Sequence, residues 1–120
     1  MIEVKKILEA TGGEFKLLDE EGNCKIYKDG SKRNLLIMES KDDQFLLSRD
    51  WFEYLDFNSL PYSFLLINKT KEKMYYLDFS KGHNWVKSCF ETCEKDDIYL
   101  GKQVLNSQIT LDELIVKMKK

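Results

Sequence analysis

The chain is poor in the features that staple, punctuate or anchor a polypeptide. It carries one proline in 120 residues, with 42% hydrophobic and 33% charged residues, and that balance excludes disordered and low-complexity readings. Its three cysteines, Cys24, Cys89 and Cys93, are an odd, scattered set, poorly suited to a disulfide framework and better suited to a reducing compartment. Long apolar runs are missing too. Leu35-Leu36-Ile37-Met38 and Phe64-Leu65-Leu66-Ile67 are far too short to cross a bilayer, so no membrane role is expected. Met1-Ile2-Glu3-Val4-Lys5-Lys6 lacks the basic-then-apolar order of a secretory leader, and the expected location is cytoplasmic. A net charge of −2 gives no global pull toward nucleic acid, which counts against a general DNA-coating role but leaves room for a local contact patch.

What is present reads as one domain over residues 1–120, of α/β (α+β) class with a central mixed sheet flanked by helices. Ile2, Ile7, Leu8 and Ala10 form a short helical pattern stopped by Gly12-Gly13. Glu14 to Leu18 predicts a strand, followed by a polar turn through Asp19-Glu20-Glu21-Gly22-Asn23, and Cys24 to Lys28 predicts a second. Asp29-Gly30 is the clearest hairpin signal in the chain. It leads into Arg33 to Ser40, whose unbroken apolar centre predicts a strand covered on both faces.

Phe45-Leu46-Leu47 is a further short apolar stretch, and Asp50 with Glu53 has capping-box spacing for a helix carrying Trp51, Phe52, Tyr54, Leu55 and Phe57. Tyr62 to Asn68 and Met74 to Phe79 predict two strands joined by Lys69-Thr70-Lys71-Glu72-Lys73. Ser80 to Asn84 reads as a loop, after which Trp85, Val86, Cys89, Phe90 and Cys93 recur at helical spacing. Ile98 to Val104 predicts a last strand, and Thr110-Leu111-Asp112-Glu113 is a capping box for a closing helix.

The tripeptide with the most chemistry is Glu39-Ser40-Lys41. In a strand, residues two apart share a face, so Glu39 and Lys41 point the same way at the strand's end. A carboxylate there can bind a divalent metal through oxygen, and an ammonium beside it can stabilise phosphate charge or polarise a water. The tripeptide alone carries little weight, because chance predicts about three acid-x-Lys sequences in a chain of this composition. Glu3-Val4-Lys5 and Glu14-Phe15-Lys16 are the other two. Context singles out the third copy, which ends an apolar strand after a hairpin turn, with a capped helix and another apolar strand to follow.

That order, helix-strand-strand-strand-helix-strand, together with Leu35-Leu36-Ile37-Met38-Glu39-Ser40-Lys41, resembles the PD-(D/E)XK nuclease-like superfamily and its restriction-endonuclease-like αβββαβ core. Ala10-Thr11-Gly12-Gly13-Glu14-Phe15 resembles the opening of archaeal Holliday-junction resolvases. Three stretches, Phe45-Leu46-Leu47-Ser48, Leu60-Pro61-Tyr62-Ser63-Phe64-Leu65-Leu66-Ile67 and Tyr75-Tyr76-Leu77, resemble a small branch of the fold found beside defence genes. The resemblance spans roughly residues 2 to 79 and rests on short motifs. It implies a magnesium-dependent DNA endonuclease in which Glu39 binds metal and Lys41 assists the water or the phosphate, in a domain that dimerises or works within a larger complex.

One departure bears on the metal. The superfamily's first metal-binding Asp belongs near the start of the strand before the motif strand, where this chain reads Asn23-Cys24-Lys25-Ile26. The acids nearby are Asp19, Glu20, Glu21 and Asp29, with Glu21 and Asp19 placed best to substitute. Two outcomes stay open: an upstream acid completes the site, or the fold persists without catalysis as a small binding protein of immunity or phage-inhibitor type, acting on a protein partner.

Other residues invite weaker readings. His83, Cys89 and Cys93 match no zinc spacing, and cysteines one turn apart beside Trp85 are explained by a buried helix face. Tyr54, Phe57, Tyr62, Tyr75, Tyr76 and Trp85 can stack on bases, although core packing accounts for most of them. Lys69, Lys71 and Lys73 form a basic turn that can touch phosphate, or stay solvated beside Glu72.

Overall fold

The computed structural model describes residues 4–10, 15–21, 24–29, 33–42, 44–50, 53, 62–92, 97–100 and 106–118. The chain begins with α1 (Val4–Ala10), then β1 (Phe15–Glu21), β2 (Cys24–Asp29) and β3 (Arg33–Ser40). It continues through β4 (Phe45–Ser48), β5 (Tyr62–Asn68), β6 (Lys73–Leu77), α2 (Phe79–Thr92), β7 (Asp97–Leu100), β8 (Gln108–Ile109) and α3 (Leu111–Met118). Six strands make one mixed sheet in the order β1-β2-β3-β5-β6-β8, and β4 pairs with β7 in a separate two-stranded ribbon.

The β1-β2-β3 meander is antiparallel, with Glu21 opposite Cys24 and Asp29 opposite Arg33 at its two turns. β3 then runs parallel to β5, with Asn34 beside Tyr62 and Ser40 beside Asn68. A parallel pair needs a crossover between its strands. Here the crossover contains β4 and helical positions at 49, 50 and 53. The rest of the helix expected over Trp51 to Phe57 lies outside the described residues.

β3 is interior and buried, as its apolar run predicts: Leu35, Leu36, Ile37 and Met38 are all at most 2% exposed. The strand alternation sends them to opposite faces. Leu36 and Met38 join Phe64, Leu66, Phe45, Val86 and Phe90 in a layer under α2 and the β4–β7 ribbon. Leu35 and Ile37 join Leu65, Ile67, Ile7, Leu114 and Met118 under α1 and α3. Helices therefore cover both faces of the sheet.

Three expectations shift. β1 extends through Asp19-Glu20-Glu21, expected as a turn, by slipping register between Leu17 and Asp19, the signature of a β-bulge. β6 stops at Leu77, and α2 begins at Phe79 through the segment expected as a loop. Asp78 caps α2, its Oδ1 accepting a hydrogen bond from the Lys81 amide at 2.9 Å. Gly82, within the stretch expected as a loop, is a packing residue: a Cβ there would stand 2.5 Å from Phe64 Cδ2. The Thr110 box forms as expected, with Thr110 Oγ1 accepting from the Glu113 amide at 3.2 Å and Glu113 Oε1 accepting from the Thr110 amide at 3.3 Å.

Candidate functional site

The carboxyl ends of parallel strands are where α/β sheets present ligand-binding groups, because loops diverge there and leave a crevice. Here those ends belong to β3 and β5, and they bring Glu39, Ser40 and Lys41 beside Asn68 and Lys69. Glu39 continues the 35-37-39 series of β3, and its side chain is 18% exposed. Its carboxylate forms an ion pair with Lys69, Nζ to Oε2 at 3.0 Å. The Lys69 amide also donates to the Ser40 carbonyl at 2.8 Å, so both ends of Lys69 are tied to the last turn of β3.

Asn68 holds that arrangement in place. Its side chain is fully buried, and its Oδ1 accepts hydrogen bonds from the Thr70 and Lys71 amides, each at 3.0 Å. This local bond folds the β5–β6 turn back on itself. Glu72 completes the reversal in the left-handed region at φ 54°. On the β3 side, Ser40 Oγ donates to Asp42 Oδ1 at 2.9 Å, and the Gln44 amide donates to the same oxygen at 2.9 Å. Lys41 lies past the end of β3 and is exposed.

The sequence-predicted residues are thus partly gathered. Glu39 and Lys41 lie at the same strand end, but the cation in contact with Glu39 is Lys69, which sequence reasoning placed only in a basic turn. Proximity across a parallel pair cannot be read from spacing, since Lys69 lies 29 positions after Ser40. Of the upstream acids, Glu21 sits opposite Cys24 and Asp19 opposite Ile26, register positions whose β2 partners enter the α2-side layer. The side chains of Asp19, Glu21 and Asp29 lie outside the described ones. Glu20 is opposite Lys25, itself opposite Ile37, so it shares the series that ends in Glu39. It is exposed and lies 4.0 Å from Lys25. Among the described residues no three His, Cys, Asp or Glu side chains gather as a metal site.

The zinc candidates have other surroundings. His83 Nδ1 shares a hydrogen bond of 3.0 Å with the Tyr62 hydroxyl. Cys89 forms no disulfide and is half-buried rather than buried, packing with Trp85 against the α2-side core. Cys93 lies outside the described residues. Tyr62 and Tyr75 are core residues at 2% and 1% exposure, which removes them from any base-stacking surface; Tyr54 and Phe57 lie outside the described residues.

Two clefts sit at the other end of the sheet, where β5 begins. One, of about 200 Å³, is lined by Phe15, Asn34, Leu35, Ser63, Tyr76 and Lys117, among others, with the Tyr76 hydroxyl donating to Ser63 Oγ at 3.1 Å. Its neighbour, of about 170 Å³, lies between β6, β8 and the first turns of α2 and α3. Neither reaches Glu39. No helix among the described residues is long and apolar enough to cross a membrane. Compared with known protein families, curated proteins and solved structures, the chain matches none.

Proposed function

We propose that the chain is a PD-(D/E)XK-like domain that engages a DNA phosphodiester backbone at the carboxyl ends of β3 and β5, and that it cleaves this backbone with magnesium. The observation that supports it most is the central strand pair. A meander leads into β3, β3 runs parallel to β5, both faces are covered, and the buried strand ends in Glu39 with lysines on either side. Glu39 would hold the ion together with an upstream acid, of which Glu20 lies at a register position on its face, whereas Asp19 and Glu21 lie at positions on the other face. Magnesium, once bound, neutralises charge on the scissile phosphate. The Glu39 carboxylate already has a lysine partner. The metal reading therefore depends on an upstream acid joining it.

The Glu39–Lys69 pair favours a second reading on the same fold, a non-catalytic binding protein. A carboxylate balanced by an ammonium at 3.0 Å is electrically satisfied without an ion, and a lone carboxylate beside a cation attracts magnesium weakly. Nicking of supercoiled and branched DNA by the wild type, Glu39→Ala and Lys41→Ala, with and without magnesium, separates the two. Magnesium-dependent nicking lost in Glu39→Ala supports the nuclease. Absence of cleavage on every DNA form moves the assignment to the binding protein, and equal cleavage in all three proteins points to a contaminant.

A further inference from the structure

We infer that Lys69, rather than Lys41, is the cation that contacts a backbone phosphate at this site. The inference deepens the DNA-engaging reading above and rests on it. Lys41 is the residue that the strand motif singles out, but it lies beyond β3 on an exposed bend, where an ammonium on a four-carbon stem samples many positions. Lys69 is restrained at three points. Its amide is bonded to the Ser40 carbonyl at 2.8 Å, its ammonium is paired with Glu39 at 3.0 Å, and the turn that follows it is closed by the buried Asn68 side chain.

The exposures of the two partners differ in the useful direction. The Glu39 side chain is 18% exposed and the Lys69 side chain 53%. The carboxylate is therefore withdrawn toward the sheet, while the ammonium faces outward. An ammonium has three donors. One goes to Glu39, and with the side chain 53% exposed the others can reach a phosphate oxygen. An ordinary surface ion pair would contribute little and hold neither partner in place. Here the restraint has been met before any ligand arrives, which lowers the ordering cost of binding.

Charge in the surroundings points to an anion of extended form. Lys71 is exposed two residues on in the same turn, beside the exposed Glu72, so a second positive group accompanies Lys69 in a chain whose net charge is −2. A row of cations spaced along a turn suits successive phosphates of a nucleic-acid backbone, whose binding is dominated by such contacts.

The test measures binding and cleavage separately. A fluorescent 20-base-pair duplex is titrated with wild type, Lys69→Ala, Lys69→Arg and Lys41→Ala in EDTA over a salt series, and plasmid nicking is followed in magnesium. Lys69→Ala is expected to weaken duplex binding about tenfold, the size of one charge-assisted hydrogen bond. It should also lower the slope of log affinity against log salt by about 1, the mark of one lost phosphate contact. Lys69→Arg keeps most of the affinity, which separates loss of charge from loss of fold, and Lys41→Ala changes binding less than about threefold. Wild-type affinity in Lys69→Ala, or a larger loss in Lys41→Ala, overturns the inference and leaves the DNA reading intact. Duplex binding without nicking removes the nuclease while the Lys69 assignment is still decided by the binding arm. Failure of the wild type to bind or cleave any DNA removes both.

Discussion

Asn68 and Gly82 show how much of this molecule depends on single residues with no chemistry of their own. Asn68 is polar and fully buried, and such a residue is retained only if its hydrogen bonds are satisfied. It closes the β5–β6 turn directly after Lys69 through the Thr70 and Lys71 amides. Asn68→Ala is expected to cost about 1–3 kcal/mol by orphaning those amides, measured as a lower denaturant midpoint. If the turn also positions Lys69, duplex affinity falls with it. Gly82 acts through absence. Alanine has the better helix propensity by about 1 kcal/mol, yet a methyl at this position would meet the Phe64 ring at 2.5 Å, and that ring is fully buried. Overpacking of this kind costs roughly 1–3 kcal/mol, so Gly82→Ala should be neutral to destabilising by calorimetry, the reverse of the usual glycine-to-alanine gain in a helix.

Elements were legible in the sequence to the extent that their signals were local. The run from Leu35 to Met38 identified β3 as a doubly covered strand because burial on both faces leaves no polar alternation, and the Thr110–Glu113 spacing identified the start of α3. Ser80-Lys81-Gly82-His83-Asn84 read as a loop because its composition is that of a turn. Tertiary context decided otherwise: Asp78 caps the helix, Gly82 packs on Phe64, and His83 meets Tyr62. β4 was visible as an apolar stretch, but its pairing with β7 joins segments about 50 residues apart, and no local pattern reports that. Arg49 likewise reaches α2, its guanidinium 4.8 Å from the Phe90 ring. The capping box offers a clean measurement at this scale. Thr110→Ala removes the acceptor for the Glu113 amide and should lower stability by about 1 kcal/mol, with faster amide exchange confined to the first turn of α3. Unchanged exchange there would show that packing of Leu114 and Met118 alone holds the helix.

For the whole molecule, the candidate site depends on two strands that meet only after a crossover, which explains why Glu39 was legible and its partner was not. The same geometry sets up a competition that can be measured without any DNA. Glu39 is paired with Lys69, so a magnesium ion using this carboxylate has to displace or share it with an ammonium. Like charges a few ångströms apart repel. Under the nuclease reading an upstream acid offsets that repulsion. An ion that binds only the folded state then stabilises it by about 1.4 kcal/mol at ten times its dissociation constant, a rise of several degrees in a domain of this size. Thermal melts in millimolar magnesium are therefore expected to show a rise for the wild type, no rise for Glu39→Gln, and a larger rise for Lys69→Ala, in which the competing cation is gone. A rise that persists in Glu39→Gln would place the ion elsewhere on the molecule. A rise appearing only in Lys69→Ala would mean that the native ion pair excludes the metal, leaving Glu39 to hold a lysine in position for a binding partner.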